Sequence, residues 1–201
     1  MKTANVAEAV KSEHAVALLK QMYGENRVEE NAARYQLVAD GFAKEFGDKA
    51  FEFFSAPGRT EIGGNHTDHN HGKVLAGSVH LDCVAAAAPN GTHTVNLISE
   101  TYNQHLVIDL DDLAPTEKTT GTEPLLKGIF AGLLEKGCKV EGFDAYVTSN
   151  VIGGAGVSSS ASFEMLVCVI VDHLFNEGKI GVVTYAKAES RIKVPNCSFV
   201  T

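Results

Sequence analysis

The run FDAYVTSNVIGGAGVSSSASFEMLVCVIVDHLF, residues 143–175, decides the fold class. Phe143–Val151 alternates in the manner of a strand, whereas Phe163, Leu166, Val167, Ile170, Val171, Leu174 and Phe175 recur at three- and four-residue spacings. That second spacing marks one apolar face of a helix. Between them lie the glycines of a tight turn, with Ser158–Ser160 at the helix start. Upstream, Leu125, Leu126, Ile129, Phe130, Leu133 and Leu134 predict another helix, closed near Gly137. The polar stretch from Asp109 to Pro124 reads as a surface loop. Short β-type runs at Val74–Val79, Cys83–Ala88, Thr94–Ile98 and Leu106–Ile108 predict successive strands, with Pro89-Asn90-Gly91 as a turn.

The first fifty residues are helical in pattern. Ala15, Leu18, Leu19 and Met22 fall on one face, then Leu37, Phe42 and Phe46 on a second helix. Whether this helical arm, about residues 1–50, packs on the following elements is left open by the pattern. A last helix is expected from about Val182, with Gly181 or Thr184 near its cap. The mixture predicts one α+β domain.

Composition narrows the function. With 44% hydrophobic and 21% charged residues the chain is of ordinary globular type. Its formal net charge of −8 argues against a general nucleic-acid binder, which needs a basic face. Phosphate binding remains open, because backbone N–H groups can supply it. Cys83, Cys138, Cys168 and Cys197 form no C-x-x-C pair and suggest a reducing compartment. The amino-terminal stretch has no long apolar run, and no run of about twenty apolar residues appears anywhere. A soluble cytoplasmic protein without membrane partners is the expectation.

Two segments carry chemistry. Gly153-Gly154-Ala155-Gly156-Val157-Ser158-Ser159-Ser160 joins a strand to a helix start, where unpaired N–H groups and the positive end of the helix dipole favour anions. Three hydroxyls add donors and a possible metal ligand, which together suit a polyphosphate with Mg²⁺. No lysine follows the glycines, so this is not a P-loop, and the third glycine of a dinucleotide fingerprint is missing. Serine N-caps on a glycine turn are the plainer reading.

The second segment, Gly58 to Gly72, holds Arg59, Asn65, His66, Thr67, Asp68, His69 and His71. Asp68 can accept from two sugar hydroxyls, and Asn65 and His66 can donate and accept. Arg59 can stabilise charge on a phosphoryl group. The same His and Asp residues are metal-ligand types, so a metal-dependent hydrolase is a rival, although H-x-D-H-x-H reverses the usual order. A solvated polar turn is the other alternative.

Ala56-Pro57-Gly58-Arg59 through Asp68 resembles the galactokinase signature A-P-G-R-V-N-L-I-G-E-H-T-D-Y-N, and Gly154–Ala161 is similar to G-x-G-L-S-S-S-A of the GHMP kinase superfamily. The resemblance runs from about Phe53 to Glu189. It implies the GHMP kinase amino-terminal domain, of the ribosomal protein S5 domain 2-like fold, with ATP and Mg²⁺ as cofactors and galactose or a related sugar as substrate. By resemblance Arg59 falls on the arginine that stabilises the transition state, and Asn65, His66, Thr67 and Asp68 fall on the sugar-binding tetrad. Gly154, Ala155, Gly156, Val157, Ser158, Ser159 and Ser160 fall on the phosphate loop, and Ser160 and Glu189 on the Mg²⁺ ligands.

There are departures. Asn65 replaces a glutamate, His69 a tyrosine, and Ile152 a proline. Where the family continues P-C-G-I-M-D, this sequence has Ser198-Phe199-Val200-Thr201 after Cys197, and a threonine cannot serve as the catalytic carboxylate. The expectation is therefore a chain that stops short of the catalytic base and the carboxy-terminal domain. Such a chain would be a weak or inactive kinase, or a non-catalytic sugar- and ATP-binding regulator, and its uncovered apolar surface would favour self-association.

Overall fold

In a computed structural model, residues 2–64, 73–114, 121–153, 156–181 and 184 are described. Among them, α1 (Val6–Ala9), α2 (Glu13–Tyr23) and α3 (Val28–Phe46) precede β1 (Glu52–Gly63), β2 (Leu75–Pro89), β3 (Thr94–Ser99) and β4 (Gln104–Asp109). Then come α4 (Thr122–Glu135), β5 (Phe143–Ser149) and α5 (Ser159–Asn176). The five strands form one sheet in the order β1-β2-β5-β3-β4, antiparallel except for the parallel pair β3 and β5. This is the α+β architecture that the pattern predicts.

Both faces of the sheet are covered, and β2 shows why. Cys83, Ala85 and Ala87 face a core shared with α4 and α5, including Leu126, Phe130, Leu166 and Ile170. Val84, Ala86 and Ala88 face the opposite core, built from Val38, Ala39 and Phe42 of α3 with Phe51 and Val6. A strand buried on both sides reads as an unbroken apolar run, without alternation. The helical arm therefore lies against the sheet. Its contact is close at Gly41, where any Cβ would sit 2.4 Å from the Tyr146 ring.

Two expectations change. The two runs expected at Val74–Val79 and Cys83–Ala88 merge into one strand, β2, which begins at Leu75, and the predicted break falls on His80-Leu81-Asp82. Asp82 argues for a break because a charge is costly inside a sheet. Here it is 3% exposed but satisfied by partners. Arg34 Nη1 donates to its Oδ1 at 2.6 Å, and Tyr23 and Ser55 hydroxyls donate to its Oδ2. Arg34 Nη2 also donates to the Asp82 carbonyl at 2.8 Å. Burial, ahead of its neighbours Tyr35 and Asp82, pushes the Tyr23 phenol well above its ordinary range, so it stays a donor. The second change is β1, whose residues Gly58–Gly63 read as part of a polar turn. Pro57 is admissible because β1 is an edge strand, and a register shift between Pro57 and Arg59 marks a bulge there.

The last expected helix, near Val182, lies for the most part outside the described residues. Replacing Asp82 by Ala leaves the Arg34 guanidinium buried without its counter-charge. Urea denaturation is expected to show a loss of about 3–5 kcal/mol, with Asp82→Asn less severe.

Candidate functional site

The strand β5 delivers the chain to the glycine–serine turn, and α5 leaves from it. Ser158 occupies the N-cap position with φ 58° and ψ 53°, and its side chain makes no capping bond. Left-handed backbone at a non-glycine residue costs of order 1–3 kcal/mol and clusters at ligand sites. The serine N-cap alternative thus loses its main support at Ser158. The first turn of α5 keeps its amides without a side-chain cap, and the helix runs to Asn176, long enough for a full dipole.

Ser159 and Ser160 line a cavity of about 320 Å³ with Cys83, Tyr102, Leu125 and Phe163. The lining comes from β2, the β3–β4 turn, α4 and α5, so no contiguous segment of sequence announces it. Cys83 is not a reactive thiol here, since burial pushes its pKa up and its Sγ–H donates to Ser149 Oγ.

The other chemical segment approaches the same turn. The Arg59 backbone N–H donates to the Val157 carbonyl at 3.1 Å, linking β1 to the turn directly. Ser162 Oγ adds a second tie, donating to the Ala56 carbonyl at 2.7 Å. Gly58 makes the approach possible: a Cβ there would stand 2.7 Å from the Val157 oxygen and 3.0 Å from Val151 Cγ1. Arg59 projects its guanidinium beside Glu61, with Nη2 3.6 Å from Oε1.

Of the residues expected at the site, Arg59 lies on β1 and Gly156, Val157, Ser158, Ser159 and Ser160 lie at the turn and the start of α5. Asn65, His66, Thr67, Asp68, Gly154, Ala155 and Glu189 lie outside the described residues, as do His69 and His71 of the metal alternative. Among the described residues no cluster of three or more His, Cys, Asp or Glu could hold a metal.

Sequence reasoning missed three contributors: the Val157 carbonyl, Glu61 and Glu164. Glu164 is 2% exposed on the inner face of α5, and Ser160 Oγ donates to its Oε1 at 2.5 Å. Burial pushes its carboxyl above the ordinary range, with the Ser160 hydrogen bond offsetting part of the rise. Its signal in the sequence was an acid inside a largely apolar helix, which carries one other buried acid, Asp172, near its far end. The donor set suits a phosphate-bound cation: Ser160 offers a hydroxyl oxygen at the cavity wall, with a carboxylate behind it.

Because the Val157 carbonyl is backbone and cannot retreat independently of the turn, Gly58→Ala is expected to force the two segments apart. A stability loss of about 1–3 kcal/mol by thermal denaturation is the predicted result.

The galactokinase galactose-binding signature matches residues 40–89. The galactokinase of Clostridium tetani is 31% identical over 150 residues, 75% of this chain and 38% of that protein. That of Lactococcus lactis subsp. lactis is 35% identical over 153 residues, 74% of this chain and 38% of that protein. The chain thus spans well under half the length of these curated relatives. Among solved structures, Lactococcus lactis galactokinase complexed with galactose superposes with a TM-score of 0.71 at 29% identity, covering 80% of this chain and 42% of that one. A mevalonate kinase shares the fold, with a TM-score of 0.56 at 16% identity over 71% of this chain and 46% of its own. Signature, sequence and fold agree, and the chain belongs to the galactokinase family of the GHMP kinases, corresponding to its amino-terminal part.

Proposed function

We propose that this chain forms the nucleotide- and sugar-binding half of a sugar kinase, which transfers the γ-phosphate of ATP to the anomeric hydroxyl of galactose or a related sugar. The observation that carries the reading is the hydrogen bond from Arg59 N–H to Val157, which brings the arginine of one motif to the phosphate turn of the other.

In phosphoryl transfer the protein mainly positions groups and neutralises charge. The α5 start and Ser158–Ser160 receive the phosphates. The cavity bounded by Tyr102, Leu125 and Phe163 is large and apolar enough to receive the base and part of the ribose. Arg59, half-buried and permanently charged, stabilises the transferring group. Ser160 and Glu189 would hold Mg²⁺, which neutralises the phosphate oxygens when bound. Asn65, His66, Thr67 and Asp68 would hold the sugar hydroxyls, with Asn65 in place of a carboxylate shifting the preference among hydroxyls.

The proton of the attacking hydroxyl needs an acceptor. By the resemblance Thr201 falls where the family has its aspartate, and on that reading we propose that the chain binds its ligands and turns over poorly. That feature equally suits a sugar- and ATP-sensing protein without catalysis, in which ligand-dependent association with a partner replaces phosphate transfer. Among the described residues no helix is long and apolar enough to cross a membrane.

Calorimetric titration with Mg·ATP and with galactose is expected to show binding of both. Coupled ADP release should run about 10²–10⁴-fold below that of an intact galactokinase, the contribution of a general base. Arg59→Ala should weaken what turnover there is while leaving galactose binding within about threefold, since the arginine acts on the developing charge. Failure to bind either ligand would overturn the kinase reading, and full turnover would overturn the missing-base argument.

A further inference from the structure

Glu164 is hard to account for as a packing residue. It lies four residues after Ser160 on the inner face of α5, where Leu166, Val167 and Ile170 enter the core. An ionisable group there costs stability that an apolar residue would not. Its hydrogen bond comes from the one serine of the phosphate turn that also donates inward, Ser160, and Ser160 at the same time borders the cavity.

A serine hydroxyl has one proton and two lone pairs. If the proton points into the cavity, the oxygen is a poor ligand for a cation. Left to itself on a helix, the hydroxyl would turn to a main-chain carbonyl one turn back. An acceptor fixed at i+4, and buried so that it cannot swing away, removes both options. The proton is held inward, and the lone pairs are left for the cavity side.

We propose that Glu164 is a positioning residue, whose buried carboxyl oxygen accepts the hydrogen bond of the Ser160 hydroxyl and so presents the serine lone pairs to the divalent cation carried by a bound nucleoside triphosphate. The inference rests on the nucleotide reading of the turn given above. It concerns the cation-bound form of the ligand and leaves contacts to bare phosphate untouched.

The test is calorimetry on the 201-residue chain with ATP in excess Mg²⁺ and with ATP in EDTA. Glu164→Met keeps the buried volume but removes the acceptor, and it should weaken Mg·ATP about tenfold, as loss of an outer-shell partner does, with metal-free ATP changed less than about twofold. Glu164→Gln restores an acceptor oxygen and is expected within about threefold of the original Mg·ATP affinity. The double variant Glu164→Met with Ser160→Ala should bind no more weakly than Ser160→Ala alone, because the two side chains act as one unit.

Far-UV circular dichroism establishes that each variant is folded. Should Glu164→Met not fold, Glu164→Gln decides: retained Mg²⁺ dependence supports the proposal, and its loss overturns it. Equal weakening with and without Mg²⁺ in Glu164→Met, or Gln as weak as Met, assigns Glu164 a purely structural role and overturns the proposal alone. An original chain that binds ATP equally well in Mg²⁺ and EDTA also overturns it alone. One that binds no ATP under either condition overturns the nucleotide reading with it.

Discussion

A main-chain hydrogen bond, Arg59 N–H to the Val157 carbonyl at 3.1 Å, joins an edge strand to the turn before α5. Neither partner is a side chain, so the contact constrains backbone position directly. It requires the strand to pass so near the turn that only hydrogen fits on Gly58. The bulge between Pro57 and Arg59 supplies the bend that makes this approach possible. Ser162, bonded to Ala56, fixes the angle at which α5 departs. Everything proposed about the pocket, from the arginine to the serine hydroxyls, follows from this junction.

The junction needs a rigid backing, and Asp82 provides it. Lying opposite Pro57 in the sheet, it gathers Arg34 from α3, Tyr23 from α2 and Ser55 from β1. The amino-terminal helices are therefore bound to the same point of the sheet at which β1 bends. Lys49 and Asp144 make a comparable tie at the far end, where Asn90 and Asn96 also donate to the Asp144 carboxylate. Burial works against ionisation of Asp144, yet the hydrogen bonds from Asn90, Lys49 and Asn96 together hold its carboxyl below the ordinary range.

The parts of the fold legible in sequence were those where one periodicity ruled. The helices α4 and α5 each carry a continuous apolar stripe, and the glycine–serine turn falls between unlike periods. The strand β1 was hidden because Pro57 and Gly58 speak for a turn, and only its edge position admits them. Asp82 hid the continuity of β2, since its partners lie 27 to 59 residues away. Of the site, the serines and Arg59 stood out by residue type. Their meeting through a carbonyl did not, because a backbone oxygen has no letter in the sequence. Glu164 was visible only as an anomaly in a stripe.

The alanines of β2 have a consequence for how such a protein can vary. Ala85 and Ala87 touch one helical layer, Ala86 and Ala88 the other, and all are at most 2% exposed. Their small size sets the thickness of the whole sandwich. A larger side chain at any of them would thrust a helix outward and carry the pocket wall with it, because α5 rests on that layer. Diversification of ligand preference is thus channelled away from the central strand and into the loops at its rim, where a change of residue leaves the spacing of the layers intact.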